Sequence, residues 1–490
     1  MDFNTLLNNE NKKLKKEIIR ECTALVALFF LTVLVIYSGI PKILKQIYIL
    51  LLLVLFWNSN KNYFWLAFFL ILLSQPLHFF IHSSAGYAHR LPLFNLASGV
   101  SLSTHDIFMI AALLKAILYG KKYKYKLFEP LIFLAGYAIL LFIASVYIYG
   151  ISFEDLTKFL RRFIFWCYFI SIPYLISEPE DIIKSIYLFT PFVYLIFLSG
   201  IYFIITGTYF VYFFDPGSVR ELSIMGQTYR WHISGAMIIH IGLIFPLILS
   251  FHKNYDNYLV TTAIASYIAM MLSATRVWFI VFSLIIISYF LIKGGLSKLI
   301  KYSVLATIIL LILANLFGGF KNNIAMSWQR LSSVFSIGNE DSFSTRTLEG
   351  KIYGEKGVTN ALQGIGKKPI LGWGFSTEAQ KYINEDIGNF SLIVQVGLMG
   401  FFIFSYFWIK FFMLMNNSKK NLSPGNPYKK SIIIFSISFF GYLIAHFTTH
   451  QFFGYILLGS HIFFLCYFIY LSEYFVEKAK DYENKYLDLQ

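Results

Sequence analysis

Apolar residues along this chain come in long, almost uninterrupted runs. They fall near residues 22–40, 43–57, 63–81, 105–119, 127–149, 163–176, 184–206, 233–250, 258–273, 277–292, 299–318, 390–415, 431–447 and 454–472. A helix needs about 20 apolar residues to cross a hydrocarbon core about 30 Å thick. The pattern therefore predicts about fourteen transmembrane helices, of which the second, fourth and sixth are short or interrupted. Between them lie polar segments at 82–104, 207–232 and 321–388. The last is 68 residues of mixed charge, Gly and Pro. A connection of that length is usually functional.

Composition agrees with the pattern. Of 490 residues, 57% are apolar and only 14% are charged, against about a quarter in an average soluble domain. Mean hydropathy is +0.63. A soluble enzyme, a disordered chain and a disulfide scaffold are excluded. The three cysteines (Cys22, Cys167, Cys466) stand singly in or at the ends of apolar runs, with no metal-site or disulfide spacing. The run at 22–40 is too long for a signal-peptide core and has no convincing cleavage site, so it is expected to be a retained first helix.

The net charge of +15 gains meaning from its placement. Lysine clusters occur at 12–16, 121–126, 293–301, 419–430 and 478–485. Fourteen crossings from a cytoplasmic N-terminus put every cluster in the cytoplasm, as the positive-inside rule requires, and leave both termini there. Most of the charge is topological, and no nucleic-acid partner is expected. The expected organisation is an N-terminal transmembrane bundle (1–320), an external loop between the eleventh and twelfth spans (321–388), and C-terminal helices with a cytoplasmic tail (389–490).

Arginine is distributed differently. Of nine arginines, eight (Arg90, Arg161, Arg162, Arg220, Arg230, Arg276, Arg330, Arg346) fall on the expected outer side or at outer helix ends, where the charge rule disfavours them. Guanidinium is a permanently charged planar fork that grips phosphate in bidentate fashion. Such a cluster points to an external anion of the lipid-linked phosphate or pyrophosphate type. Arg276 sits in a short break between two spans, with Ser273 and Thr275 beside it, and charge at that depth is costly. In the long loop, Ser344-Thr345-Arg346 precedes Gly357 in an Arg-x10-Gly spacing. Pro369-Ile370-Leu371-Gly372-Trp373-Gly374-Phe375 then forms a defined turn. Asp341, Glu349, Glu385 and Asp386 are candidate general bases. His232, beside Arg230, is suited to sugar or phosphate. His446, His450 and His461 have poor metal spacing, and neither metal nor cofactor is expected.

These motifs, in this order, resemble the bacterial O-antigen polymerase and O-antigen ligase superfamily over roughly residues 215–405. The resemblance rests on Ser273-x-Thr275-Arg276, on Ser344-Thr345-Arg346 leading to Pro369–Phe375, and on Gly397-x-x-Gly400. It implies an all-α polytopic fold of the GT-C kind in the bacterial inner membrane. The implied activity is a metal-independent glycosyltransferase that polymerises undecaprenyl-diphosphate-linked repeat units at the outer face. The product class would be O-antigen, capsule or exopolysaccharide. Ligases of this family carry a His-Asn pair eleven residues before the first Gly of Gly-x-x-Gly. Here that position is Asp386-Ile387, which favours a polymerase. A leaving diphosphate in a metal-free site needs fixed cations, so Arg276 and Arg346, with Asp386 as base, are the expected catalytic residues, and Arg220, Arg230, His232, Arg330, Glu349 and Lys381 the expected substrate contacts. Implied partners are lipid-linked glycan donor and acceptor, inner-membrane lipids, and chain-length-regulator and flippase proteins. The alternatives are a ligase or protein glycosyltransferase using the same donor, and a lipid-linked oligosaccharide flippase.

Overall fold

A computed structural model describes residues 12–37, 39–74, 92–97, 100–147, 150, 164–206, 220–221, 229–230, 236–252, 257–272, 276–295, scattered positions at 297–312, 388–448 and 459–487. The described residues are mainly helical. In chain order the helices are α1 (Lys12–Tyr37), α2 (Lys42–Asn58), α3 (Asn62–Ser74), α4 (Thr104–Tyr119), α5 (Phe128–Tyr147), α6 (Tyr168–Leu175) and α7 (Pro179–Thr206). There follow α8 (Ala236–His252), α9 (Asn257–Leu272), α10 (Arg276–Ile292), α11 (Gly388–Lys420), α12 (Lys429–Thr448) and α13 (Gly459–Leu487). Four short strands accompany them: β1 (Pro92–Ala97), β2 (Val100–Ser103), β3 (Arg220–Glu221) and β4 (Tyr229–Arg230).

Among the described residues, three helices are long and apolar enough to cross a membrane, within α1, α7 and α11; α3, α5, α8, α9 and α10 are apolar but shorter. The expected sixth span differs most. It is a 3-10 turn, Ile164–Cys167, followed by the eight-residue α6 with Pro173 inside. Twelve such residues rise only about 18–20 Å, less than the hydrocarbon core. The eleventh expected span and the loop 321–387 lie almost wholly outside the described residues. Large apolar side chains stand exposed on one face of α2 (Ile43, Ile47, Leu51, Leu55) and on α5 (Ile132, Ile139, Ile143). Water penalises contiguous apolar faces and lipid accepts them, so the described helices suit a helical membrane protein.

The chain forms two compact units. The first takes its described helices from α1–α4, most of α6, and α7–α10. Here α7 packs against α1, α3, α8 and α9, and α8 against α9 and α10. Close approach comes from small residues: a Cβ added at Gly242 of α8 would lie 2.3 Å from Val193 Cγ2 on α7 and 2.7 Å from Ser266 Oγ on α9. Without a hydrophobic drive in lipid, such small-residue contacts carry helix association. Charged side chains finish this unit at the helix ends expected to be cytoplasmic. Buried Glu21 accepts from Lys61 and from the Tyr63 hydroxyl at 3.0 Å. Lys184 bridges Glu17 at 2.8 Å and Glu180 at 2.6 Å. Lys115 donates to the carbonyls of Phe56 (2.7 Å) and Ser59 (2.6 Å), capping the end of α2.

The second unit holds α5, the 3-10 turn and α11–α13. Chain order had placed α5 in an N-terminal bundle, yet it packs on α11, because Tyr137 and Gly400 interlock there. Phe411 (α11), Phe439 and Phe435 (α12) and Phe468 (α13) form the core, with ring centroids 4.5–6.0 Å apart. Just past the apolar run of α13, Glu473 is fully buried. Its carboxylate accepts the backbone N–H groups of Lys126 (2.8 Å) and Leu127 (3.0 Å) and the Tyr123 hydroxyl (3.3 Å). It thus caps the start of α5 from another helix, where free N–H groups and the helix dipole favour an anion. Further along the same helix, Glu483 accepts from Ser423 and Asn426 (2.9–3.2 Å) and holds the α11–α12 turn.

Burial pushes the Glu473 carboxyl up to about 7, outweighing the lowering by Lys126 and Leu127 N–H groups. The folded state therefore holds this proton where the unfolded chain has released it. The stability from this group is full below the unfolded pKa and is lost as pH rises through about 7. Thermal midpoints of the detergent-solubilised protein at about pH 5.5 and about pH 8 should show a larger drop for the native chain than for Glu473→Gln. An equal drop in both would remove Glu473 as the source.

Candidate functional site

Of the arginines singled out above, the described ones enter the structure through α10 and the ribbon before α8. α9 ends at Leu272 and α10 begins at Arg276 itself. A helix start carries unpaired N–H groups and a partial positive charge. An arginine there works against the dipole unless an anion is present, when both attract it.

Arg220 and Arg230 form the two-residue strands β3 and β4. They pair antiparallel with Arg220 opposite Arg230 and Glu221 opposite Tyr229. Like charges directly opposite one another destabilise a ladder. A bound anion reverses that sign, because each guanidinium then meets charge it can pair with.

Packing relates the ribbon to Arg276. His240, in the second turn of α8, lies edge-on to Trp278 (4.5 Å) and Phe282 (4.9 Å) in the first turns of α10. At the other end of the same two helices, Ser250 Oγ is 2.7 Å from Tyr289 Oη, and Lys293 Nζ reaches the Ser250 carbonyl at 2.9 Å. Start meets start and end meets end, so α8 and α10 run parallel. The first residue of α10, Arg276, therefore lies at the same end of this unit as the start of α8, six residues beyond Arg230.

Of the other expected site residues, His232, Arg330, Arg346, Glu349, Lys381 and Asp386 lie outside the described residues. His240, an ionisable residue within an apolar run, is fully buried against the aromatic wall of α10.

One polar cluster had no role in the reading of the sequence. Thr104, His105 and Asp106 open α4 and are all buried. His105 Nε2 lies 3.1 Å from the Phe69 carbonyl of α3. A carbonyl only accepts, so Nε2 carries the proton. Three consecutive polar residues at the mouth of an apolar span were the available signal, but they read equally as the end of the 82–104 loop. All three are buried, and His105, edge-on to Phe69 at 6.5 Å, belongs to the α3–α4 contact.

No family model matches the chain, and no curated protein is significantly similar to it.

If Arg220 and Arg230 grip one anion, their effects on its affinity must overlap. Titrating the purified protein with inorganic pyrophosphate should show about tenfold weaker binding for Arg220→Ala or Arg230→Ala. The double variant should be little weaker than either single one. Fully additive losses would mean two separate contacts.

Proposed function

We propose that this chain is a polytopic membrane glycosyltransferase of the GT-C kind, crossing the bacterial inner membrane about fourteen times. Its substrates would be oligosaccharide repeat units linked to undecaprenyl diphosphate, joined into a polymer at the outer face. The reading is carried by one observation: the cross-strand pair Arg220–Arg230 precedes a helix whose start lies at the same end of its unit as Arg276. Three arginine positions toward one end of a unit suit a diphosphate far better than a neutral sugar or a cation. The motifs around Arg346, Pro369–Phe375 and Gly397-x-x-Gly400, which resemble the O-antigen polymerase superfamily, support the same reading.

In the proposed step, a hydroxyl oxygen of the incoming lipid-linked repeat attacks the anomeric carbon of the growing chain. A new glycosidic bond forms, and the bond from that carbon to the donor's phosphate oxygen breaks. The electron pair leaves on the lipid diphosphate, and the hydroxyl proton passes to Asp386, with Glu349 the other candidate. Charge grows on the departing diphosphate as that bond breaks. Arg276, Arg346 and Arg230 would stabilise it there, with Arg220, His232, Arg330 and Lys381 holding the substrate. Preorganised cations act more strongly on developing charge in a water-poor site than in bulk, and the 321–388 loop would exclude water as a competing acceptor.

Lysine keeps the charge of arginine and loses its fork. Arg276→Lys should therefore slow polymerisation by about a hundredfold, a loss of about 3 kcal/mol of barrier stabilisation. In a deletion strain complemented with the variant at normal protein level, the glycan ladder on a gel should collapse to single repeats. A ladder of native length would refute the assigned role. Accumulation of long, lipid-linked, uncapped polymer in the deletion strain would point to a ligase instead.

A further inference from the structure

Gly397-x-x-Gly400 has a second feature that its resemblance to a family motif does not explain. α11 is two helical segments joined at Gly397, whose backbone stands at φ 68°, ψ −178°. That region is open essentially to glycine alone. In an unbroken helix the Val396 carbonyl would accept the N–H of Gly400. With the helix broken at Gly397, this carbonyl accepts the hydroxyl of Tyr137, from the middle of α5. Gly400 completes the fit: a Cβ added there would lie 2.5 Å from Tyr137 Cε1 and 2.5 Å from Val396 Cβ. Tyr137 is itself buried.

We propose that Tyr137 is the positioning residue of a fixed joint in α11. A freed carbonyl is costly inside a membrane unless a neighbouring group takes it over. The Tyr137 hydroxyl does so, and its ring occupies the space that a side chain at 400 would fill. Glycine at 397 permits the break, glycine at 400 admits the ring, and tyrosine at 137 locks the break at one angle. The segment 388–396 is thereby set at a defined direction from 398–420. Where the joint bears on chemistry it rests on the function proposed above, in which Asp386 stands two residues ahead of this segment in the sequence.

Spin labels at Ile143→Cys on α5 and Ile393→Cys on the first segment of α11, with Cys22, Cys167 and Cys466 replaced by Ala, report the angle without reference to activity. The full chain in lipid nanodiscs should give one narrow distance distribution. Tyr137→Phe keeps the ring and removes the hydroxyl, so the distribution should broaden or shift while the thermal midpoint falls by only a few degrees. Gly397→Ala should favour a continuous helix, in which the Val396 carbonyl regains its own partner. In that background Tyr137→Phe should change nothing further, a non-additivity that a purely packing role would not produce. An unchanged distribution in Tyr137→Phe, or additive effects in the double variant, would overturn the joint. In cells, Tyr137→Phe should also shorten the glycan ladder at normal protein level. A moved segment with an unshortened ladder would uphold the joint and overturn the role given to Asp386.

Discussion

Hydrocarbon offers no water to a backbone group whose partner is missing, so each place where a helix ends or breaks has to be completed by something else. The side chains that do this here come from other helices. The ammonium of Lys115 on α4 closes the last carbonyls of α2. The Glu473 carboxylate on α13 takes the first N–H groups leading into α5. The Tyr137 hydroxyl on α5 takes the carbonyl freed by the break in α11. The chemistry follows polarity in each case: ammonium or hydroxyl donor to carbonyl, carboxyl oxygen to N–H. These completions tie helices that are distant in sequence, and they explain why ionisable residues are tolerated in a chain so poor in charge.

The same logic separates structural charges from candidate functional ones. Glu17 and Glu21 of α1 compensate Lys184 of α7 and Lys61, which immediately precedes α3, at one end of the first unit. Arg220, Arg230 and Arg276 are placed otherwise: two are cross-strand partners of like charge, and the third opens a helix against its dipole. Like charges at opposite ladder positions, and a cationic residue at a helix start, are both made more favourable by a nearby anion.

Much of the helical layout was legible from hydrophobicity alone. The runs at 43–57, 105–119 and 277–292 coincide closely with α2, α4 and α10, since a lipid-facing helix must be apolar along its length. The run at 163–176 was legible as apolar but not as a 3-10 turn and a short Pro-containing helix, because composition does not report backbone conformation. Lys115, within the run at 105–119, donates to the carbonyls of Phe56 and Ser59 at the end of α2, partners no local pattern reports. The buried triplet Thr104–His105–Asp106 went unread, since three polar residues beside a polar loop have the same pattern whether solvated or packed.

Charge placement and arginine usage are local properties, which is why the sequence by itself determined the helical membrane class, the expected inside of the chain and the arginines as candidate anion ligands. The register that sets Arg220 against Arg230, the parallel course of α8 and α10, the grouping of α5 with α11–α13, and the partner of the Val396 carbonyl were decided only by the tertiary structure. Each depends on contacts between residues up to hundreds of positions apart, which no window of hydropathy contains. Gly397-x-x-Gly400 shows both sides: two glycines one helical turn apart mark a close approach or a break in any sequence, but only packing revealed that a tyrosine 260 residues upstream of the first glycine occupies it.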